Sequence, residues 1–204
     1  MRKLILSALI GCMFFGGAIM AQNRQGPPAA VGLDVVSHPL APGVKRAKVN
    51  GQVWIDFSLP GSAVTGDVVY GADDLLRLEL SWLDLLNGTV WHSNIDLRAA
   101  ELPTFGGKGE HASIYVQLGP GADVTITSSS HAEMALIGSR NADALAAAPR
   151  EEIIIAQACA KPLPADDPVA SILRNGFSDL ERERAKAARE RALSRGVTMT
   201  PRCE

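Results

Sequence analysis

The chain has 204 residues, 47% of them hydrophobic and 21% charged, which excludes a wholly disordered or collagen-like polymer and supplies enough apolar material for one domain plus an appendage. Twenty basic side chains stand against 22 acidic ones for a formal charge of −2, so no global excess of charge advertises nucleic acid or an acidic membrane.

The N-terminus reads as an export segment. Arg2 and Lys3 form a positive end, residues 4–20 are apolar apart from Ser7, and Ala21 is the small residue a signal peptidase prefers. A charged end followed by a short apolar helix is the pattern of a secretory signal peptide over residues 1–21. A permanent anchor is the first alternative, although the run sits at the lower length limit for spanning a bilayer. The second is lipidation: Leu9-Ile10-Gly11-Cys12 looks like the lipobox of bacterial lipoproteins, but the stretch after Cys12 stays apolar where such a protein turns polar. The expected location is periplasmic or extracellular, with membrane association only if Cys12 is lipidated or the signal is uncleaved.

Residues 22–30, with Pro27-Pro28, have linker composition. From Val31 to about Ser130 the apolar period is two, and the region 31–160 is expected to fold as one domain. Val53, Ile55, Phe57 and Leu59 alternate with Gln52, Trp54, Asp56 and Ser58. Four further runs behave alike, built on Leu76-Leu78-Leu80-Trp82, Trp91-Ser93-Ile95-Leu97, Ile114-Val116-Leu118 and Val124-Ile126. Alternation of this kind puts one face of a ribbon on a core and the other in water, which is the antiparallel pattern. Asn50-Gly51 and Asn87-Gly88 are type I′ hairpin dipeptides, and Gly119-Pro120-Gly121 supplies a third turn. The longest ribbon pairs 75–86 with 89–97. The expectation is an antiparallel β-sandwich, which resembles an immunoglobulin-like domain in general shape only, since no cysteine pair falls within these strands.

The pattern changes after Ser130. Residues 141–148 are alanine-rich and suggest a short helix, and 152–158, with Ile153-Ile154-Ile155, reads as one more strand, central in its sheet. A breaker, Lys161-Pro162-Leu163-Pro164, opens the 161–204 region. Asp166 or Asp167 then caps a C-terminal α-helix, with Pro168 in its first turn, running to about Ser194 and stopping near Gly196. Val169, Ile172, Leu173, Phe177 and Leu180 give its first half an apolar stripe. Its second half carries five arginines and Lys186 against three glutamates over residues 181–195. A solvated helix held by pairs such as Lys186–Glu190 is the plain reading. A docking arm for an acidic or apolar partner, using Arg182, Arg184, Arg189 and Arg191, is the other.

With the leader removed, Cys159 and Cys203 remain, and an even pair in an exported chain reads as a disulfide that tethers the tail. Candidate chemistry is sparse. His131-Ala132-Glu133-Met134 offers weak ligands for copper, His131 and Met134 foremost, with no clustered histidines beside them. Ser128-Ser129-Ser130-His131 lacks the nucleophile elbow of a hydrolase. Gly106-Gly107-Lys108-Gly109 fails the phosphate-loop pattern. Trp54, on the polar side of its strand, could present an indole to a sugar ring, although cover by a second sheet or by the C-terminal helix is the plainer reading. The sequence therefore points to a non-enzymatic envelope module that binds another protein and needs no cofactor. The alternatives are a small-ligand or carbohydrate-binding sandwich using Trp54 with Gly106, Gly107 and Lys108, and a periplasmic copper protein.

Overall fold

The structure, a computed structural model, describes residues 27–58, 63–105, 111–129, 152–198 and 200–203. The leader with Cys12, the loop Gly106-Gly107-Lys108, the copper candidates His131 and Met134 and the expected helix at 141–148 lie outside these residues.

Alternation produces two stacked sheets. In the first, strands β1 (Ala30–Ser37), β4 (Val64–Val68), β8 (His111–Leu118), β9 (Asp123–Ser129) and β10 (Glu152–Cys159) lie in the order β10-β9-β8-β1-β4, with β7 (Thr104–Phe105) beside the start of β8. In the second, β2 (Gly43–Val49), β3 (Gln52–Ser58), β5 (Leu75–Asp84), β6 (Val90–Arg98) and β11 (Lys161–Pro162) take the order β11-β6-β5-β2-β3. Val31, Leu33 and Val35 of β1 and Ile114, Val116 and Leu118 of β8 meet Leu76, Leu78, Leu80 and Trp82 of β5 in one buried core between the sheets. The architecture is mainly β and sandwich-like, with helices at the C-terminal end.

Most expected pairings form. The long ribbon is β5 with β6, in register from Leu75 opposite Arg98 to Leu83 opposite Val90. Asn50 and Gly51 both take positive φ, at 50° and 81°, as a type I′ turn requires. The second dipeptide behaves differently. Gly88 has φ 75° but Asn87 is not left-handed, because the Asp84 carboxylate accepts hydrogen bonds from Leu86 N at 2.9 Å and Asn87 Nδ2 at 2.9 Å and draws the chain into a longer turn. One pairing is not antiparallel at all: β1 runs parallel to β8 along its whole length, Ala30 opposite His111 through Ser37 opposite Leu118.

Two further expectations are corrected. Among the described residues, strand β10 lies at the edge of its sheet rather than in the middle, and the side chains of Ile153 and Ile154 are 41% and 59% exposed. The single C-terminal helix is two, α1 (Pro168–Asn175) and α2 (Asp179–Ser194). The break falls at Gly176, where an added Cβ would run into the Phe57 ring, so the chain passes β3 too closely for a side chain unless that ring moves. Ser178 then restarts the helix, its N–H donating to Glu181 Oε2 at 2.7 Å in a capping box, which satisfies an otherwise orphaned donor. Asp167 caps α1 by accepting from Val169 N at 2.8 Å.

The helices cover the outer face of the second sheet. Val44, Leu83, Leu85 and Val90 pack there against Ala170, Leu173 and Ala185 in a second apolar cluster. Beyond α2 the chain turns at Gly196, with φ 77°, and its tail returns to the other sheet. The sulfurs of Cys159 and Cys203 are at bonding distance, with Cα atoms 5.5 Å apart. Both carboxylate oxygens of Asp123 hold the tail, accepting from Arg202 N and Cys203 N at 2.8 Å each. Among the described residues no helix is long and apolar enough to cross a membrane.

Candidate functional site

Helix α2 is fixed in place from three sides. The capping box sets its start, the tail joined through Cys203 sets its end, and Ala185 and Ala192, seven residues apart, bury its contact stripe. Small side chains let the helix lie close to the body, and its larger apolar groups face outward, Leu180 being 60% and Leu193 51% exposed. Leu180 thus falls outside the apolar stripe expected of it. Arg184, Arg191 and Arg195 recur along one flank of the buried stripe, and Arg182 and Arg189 along the other, as 100° per residue requires. The crest between the flanks carries Lys186, bonded to Glu183 at 2.7 Å; this three-residue pairing replaces the expected partner Glu190.

All four candidate arginines are exposed, but they are not equivalent. Arg182 sits 5.3 Å from the centroid of the Phe177 ring and 3.5 Å from Asp179, so it fastens the α1–α2 junction. Arg184, Arg189 and Arg191 form no ion pair among the described residues. A guanidinium left in water keeps its forked donors available for a carboxylate of another molecule.

Trp54 takes a different position from that of an open sugar platform. It is half-buried and packs against the core, with its indole edge on Gly66 of β4, where an added Cβ would approach within 3.3 Å. The ring thus reaches from the second sheet to the first across the open side of the sandwich. A shift of register between Ala47 and Lys48 as they pair with Ile55 and Val53 turns this stretch of β3, leaving Val53 and Phe57 partly outside.

One polar row was invisible in the sequence. Ser58, Lys45, Trp82 and Trp91 are cross-strand neighbours on β3, β2, β5 and β6, and Ser58, Lys45 and Trp82 are buried. Burial pushes the Lys45 ammonium down to about 8. Neither indole N–H of Trp82 and Trp91 meets an acceptor among the described residues. Alternation around Lys45 could have shown its inward direction, since Ala47 and Val49 of the same strand face the core, but a lysine in an apolar phase reads as an interruption.

The histidines of the described residues stand apart. His92 Nδ1 lies 2.9 Å from Ser81 Oγ. His38 is buried and its Nδ1 accepts from Leu40 N at 3.2 Å; burial pushes its pKa down, opposed by the nearby Asp123 charge. Among the described residues no three His, Cys, Asp or Glu side chains group as metal ligands. No family model, curated protein or solved structure matches the chain.

Proposed function

We propose that the protein is a non-catalytic envelope module that works by binding another protein, with α2 as its contact surface. The observation that carries this reading is the exposed flanks of a firmly seated helix, on which Arg184, Arg189 and Arg191 have no ion pair among the described residues. Cations held on both flanks of an ordered helix suit an acidic surface, because the helix is set before binding and little conformational entropy is lost on contact. Export to the periplasm or the exterior belongs to the same reading, supported by the leader pattern of residues 1–21 and by the joined Cys159 and Cys203, which suit an oxidising compartment.

The test is charge reversal at sites whose side chains touch solvent. Chemical crosslinking in the intact envelope with wild-type protein should yield a discrete protein adduct that fades as salt approaches about 0.5 M, where screening shortens to a few ångströms. The triple variant R184E/R189E/R191E should lose the adduct while keeping its fold. An adduct of unchanged yield in the variant, or none with either protein, overturns the proposal.

A further inference from the structure

Strands β1 and β8 finish side by side at Ser37 and Leu118, and three separate pieces of chain meet just beyond them. The turn after β1 is fastened by its first residue: His38 N donates to Leu118 O at 2.8 Å, and His38 O accepts from Ala41 N at 2.9 Å. The turn between β8 and β9 lies against it, so that a Cβ added to Gly119 would come within 3.0 Å of the Ala41 methyl. Gly119 N in turn donates to Asp123 O at 2.7 Å. The third piece is the tail, whose Arg202 and Cys203 amides are both held by the Asp123 carboxylate. The side chains of His38 and Asp123 therefore ride on one hydrogen-bonded unit, and both are buried.

Both groups are already engaged. His38 Nδ1 accepts from Leu40 N at 3.2 Å, and a ring nitrogen that accepts carries no proton, so the ring that fits is the neutral one protonated on Nε2. A proton added at Nδ1 sets two N–H groups against each other and makes a buried cation, which needs a counter-charge. The charge that favours the protonated ring is Asp123, yet each of its oxygens holds one tail amide at 2.8 Å. The Arg202 guanidinium, 3.9 Å from Asp123, is itself anchored on Ala158 O at 3.0 Å and Val124 O at 3.4 Å. Of the other charges near this end, Asp84 of β5 is taken by Leu86 N and Asn87 Nδ2, Lys45 of β2 is buried between the sheets, and Lys161 of β11 is exposed.

We propose that His38 and Asp123 form an acid-sensitive clasp: uptake of one proton by His38 draws the Asp123 carboxylate from the amides of Arg202 and Cys203 and frees the tail between α2 and the Cys159–Cys203 bridge. The bridge keeps the freed segment attached, so the clasp recloses when the proton leaves. Burial holds the His38 imidazole below its ordinary 6.5. The opened form therefore binds the proton more tightly, and opening grows as pH falls below that value; above it the ring is neutral in both forms and the clasp stays shut.

Hydrogen exchange of the bridged protein, corrected for the intrinsic pH dependence of amide exchange, reads the clasp directly. Between about pH 7.5 and about pH 5.5 the protection of Arg202 and Cys203 should fall, by at most about tenfold per unit below 6.5, the limit for one linked proton. The core amides of Leu80 and Val116 should keep theirs. His38→Gln, neutral at every pH and able to accept from Leu40 N, should hold the tail protection constant. Glu204→Gln, which removes the side-chain charge next to Cys203, should follow the wild type. A second measurement does not depend on the His38 variant folding: Asp123→Asn should lower the pH at which the His38 ring protons titrate, since the counter-charge is gone. Tail protection indifferent to pH, an equal fall in His38→Gln, a fall shared by the core amides, a flat profile in Glu204→Gln or an unmoved His38 titration in Asp123→Asn overturns the inference.

Discussion

Lys45 shows how one residue sets a property of the entire fold. Its ammonium is buried between the sheets, and its pKa falls from 10.5 to about 8 because of that burial. A lysine whose folded pKa is depressed binds more protons in the unfolded state over the interval between the two values, so stability rises with pH across it. The gain from pH 8 to 10.5 is on the order of 3 kcal/mol, from about 1.4 kcal/mol per unit. Urea titrations across this range should show the rise in the wild type and a flat profile for Lys45→Met; parallel profiles would contradict the account. Local alternation gives the direction of this residue but not its burial. Whether an inward lysine is buried depends on what the facing sheet places over it, and that partner lies far away in sequence. Asn50 and Gly51 were readable for the opposite reason, since the φ values they adopt are a property of those two residues alone.

Elements were legible where their signals were local. The period-two runs of β5, β6, β8 and β9 stand on side chains two apart, and Asp167 before Pro168 marks a helix start by capping chemistry. Replacing Asp167 by Ala should cost about 1 kcal/mol, read as a shift of the unfolding midpoint, with an equal loss of protection at the amides of Val169 and Ala170. Strand β4, five residues with Gly and Asp inside, offered too short an alternation to recognise. The lack of room for a side chain at Gly176 depends on the ring of Phe57, more than a hundred residues earlier, which no helical pattern contains. Placing β10 at the centre of a sheet rested on its unbroken isoleucines; apolar runs do favour burial, but the bulge spends two positions inward and leaves Ile153 and Ile154 outside. Of the candidate site, the arginines of α2 were visible as charge in the sequence. Their division into one staple, Arg182, and three unpaired donors required the contacts of Phe177 and Asp179.

At the scale of the molecule, the tail is the tie between the two layers. The bond between Cys159 and Cys203 closes a loop of 44 residues, worth about 4 kcal/mol by closure entropy, and encloses both helices. Cys203→Ser should lower the unfolding free energy by about that amount in non-reducing buffer. Under reductant, wild type and variant should converge. Asp123→Asn should cost less in the Cys203→Ser background than in the bridged protein, since the carboxylate and the bridge secure the same segment. The cysteine pairing could be deduced by counting. The order of strands could not, because it is a matter of which distant partner each edge finds.

The parallel seating of β1 on β8 governs how the chain can be made. Released from its N-terminal end, by a ribosome or through a pore, the polypeptide carries Val31, Leu33 and Val35 with one edge of β1 paired to β4 and the other open until His111–Leu118 emerges about eighty residues later. Half-finished chains therefore present a sticky ribbon, and nascent products stopped before β8 should cling to holdase chaperones while those that include it let go.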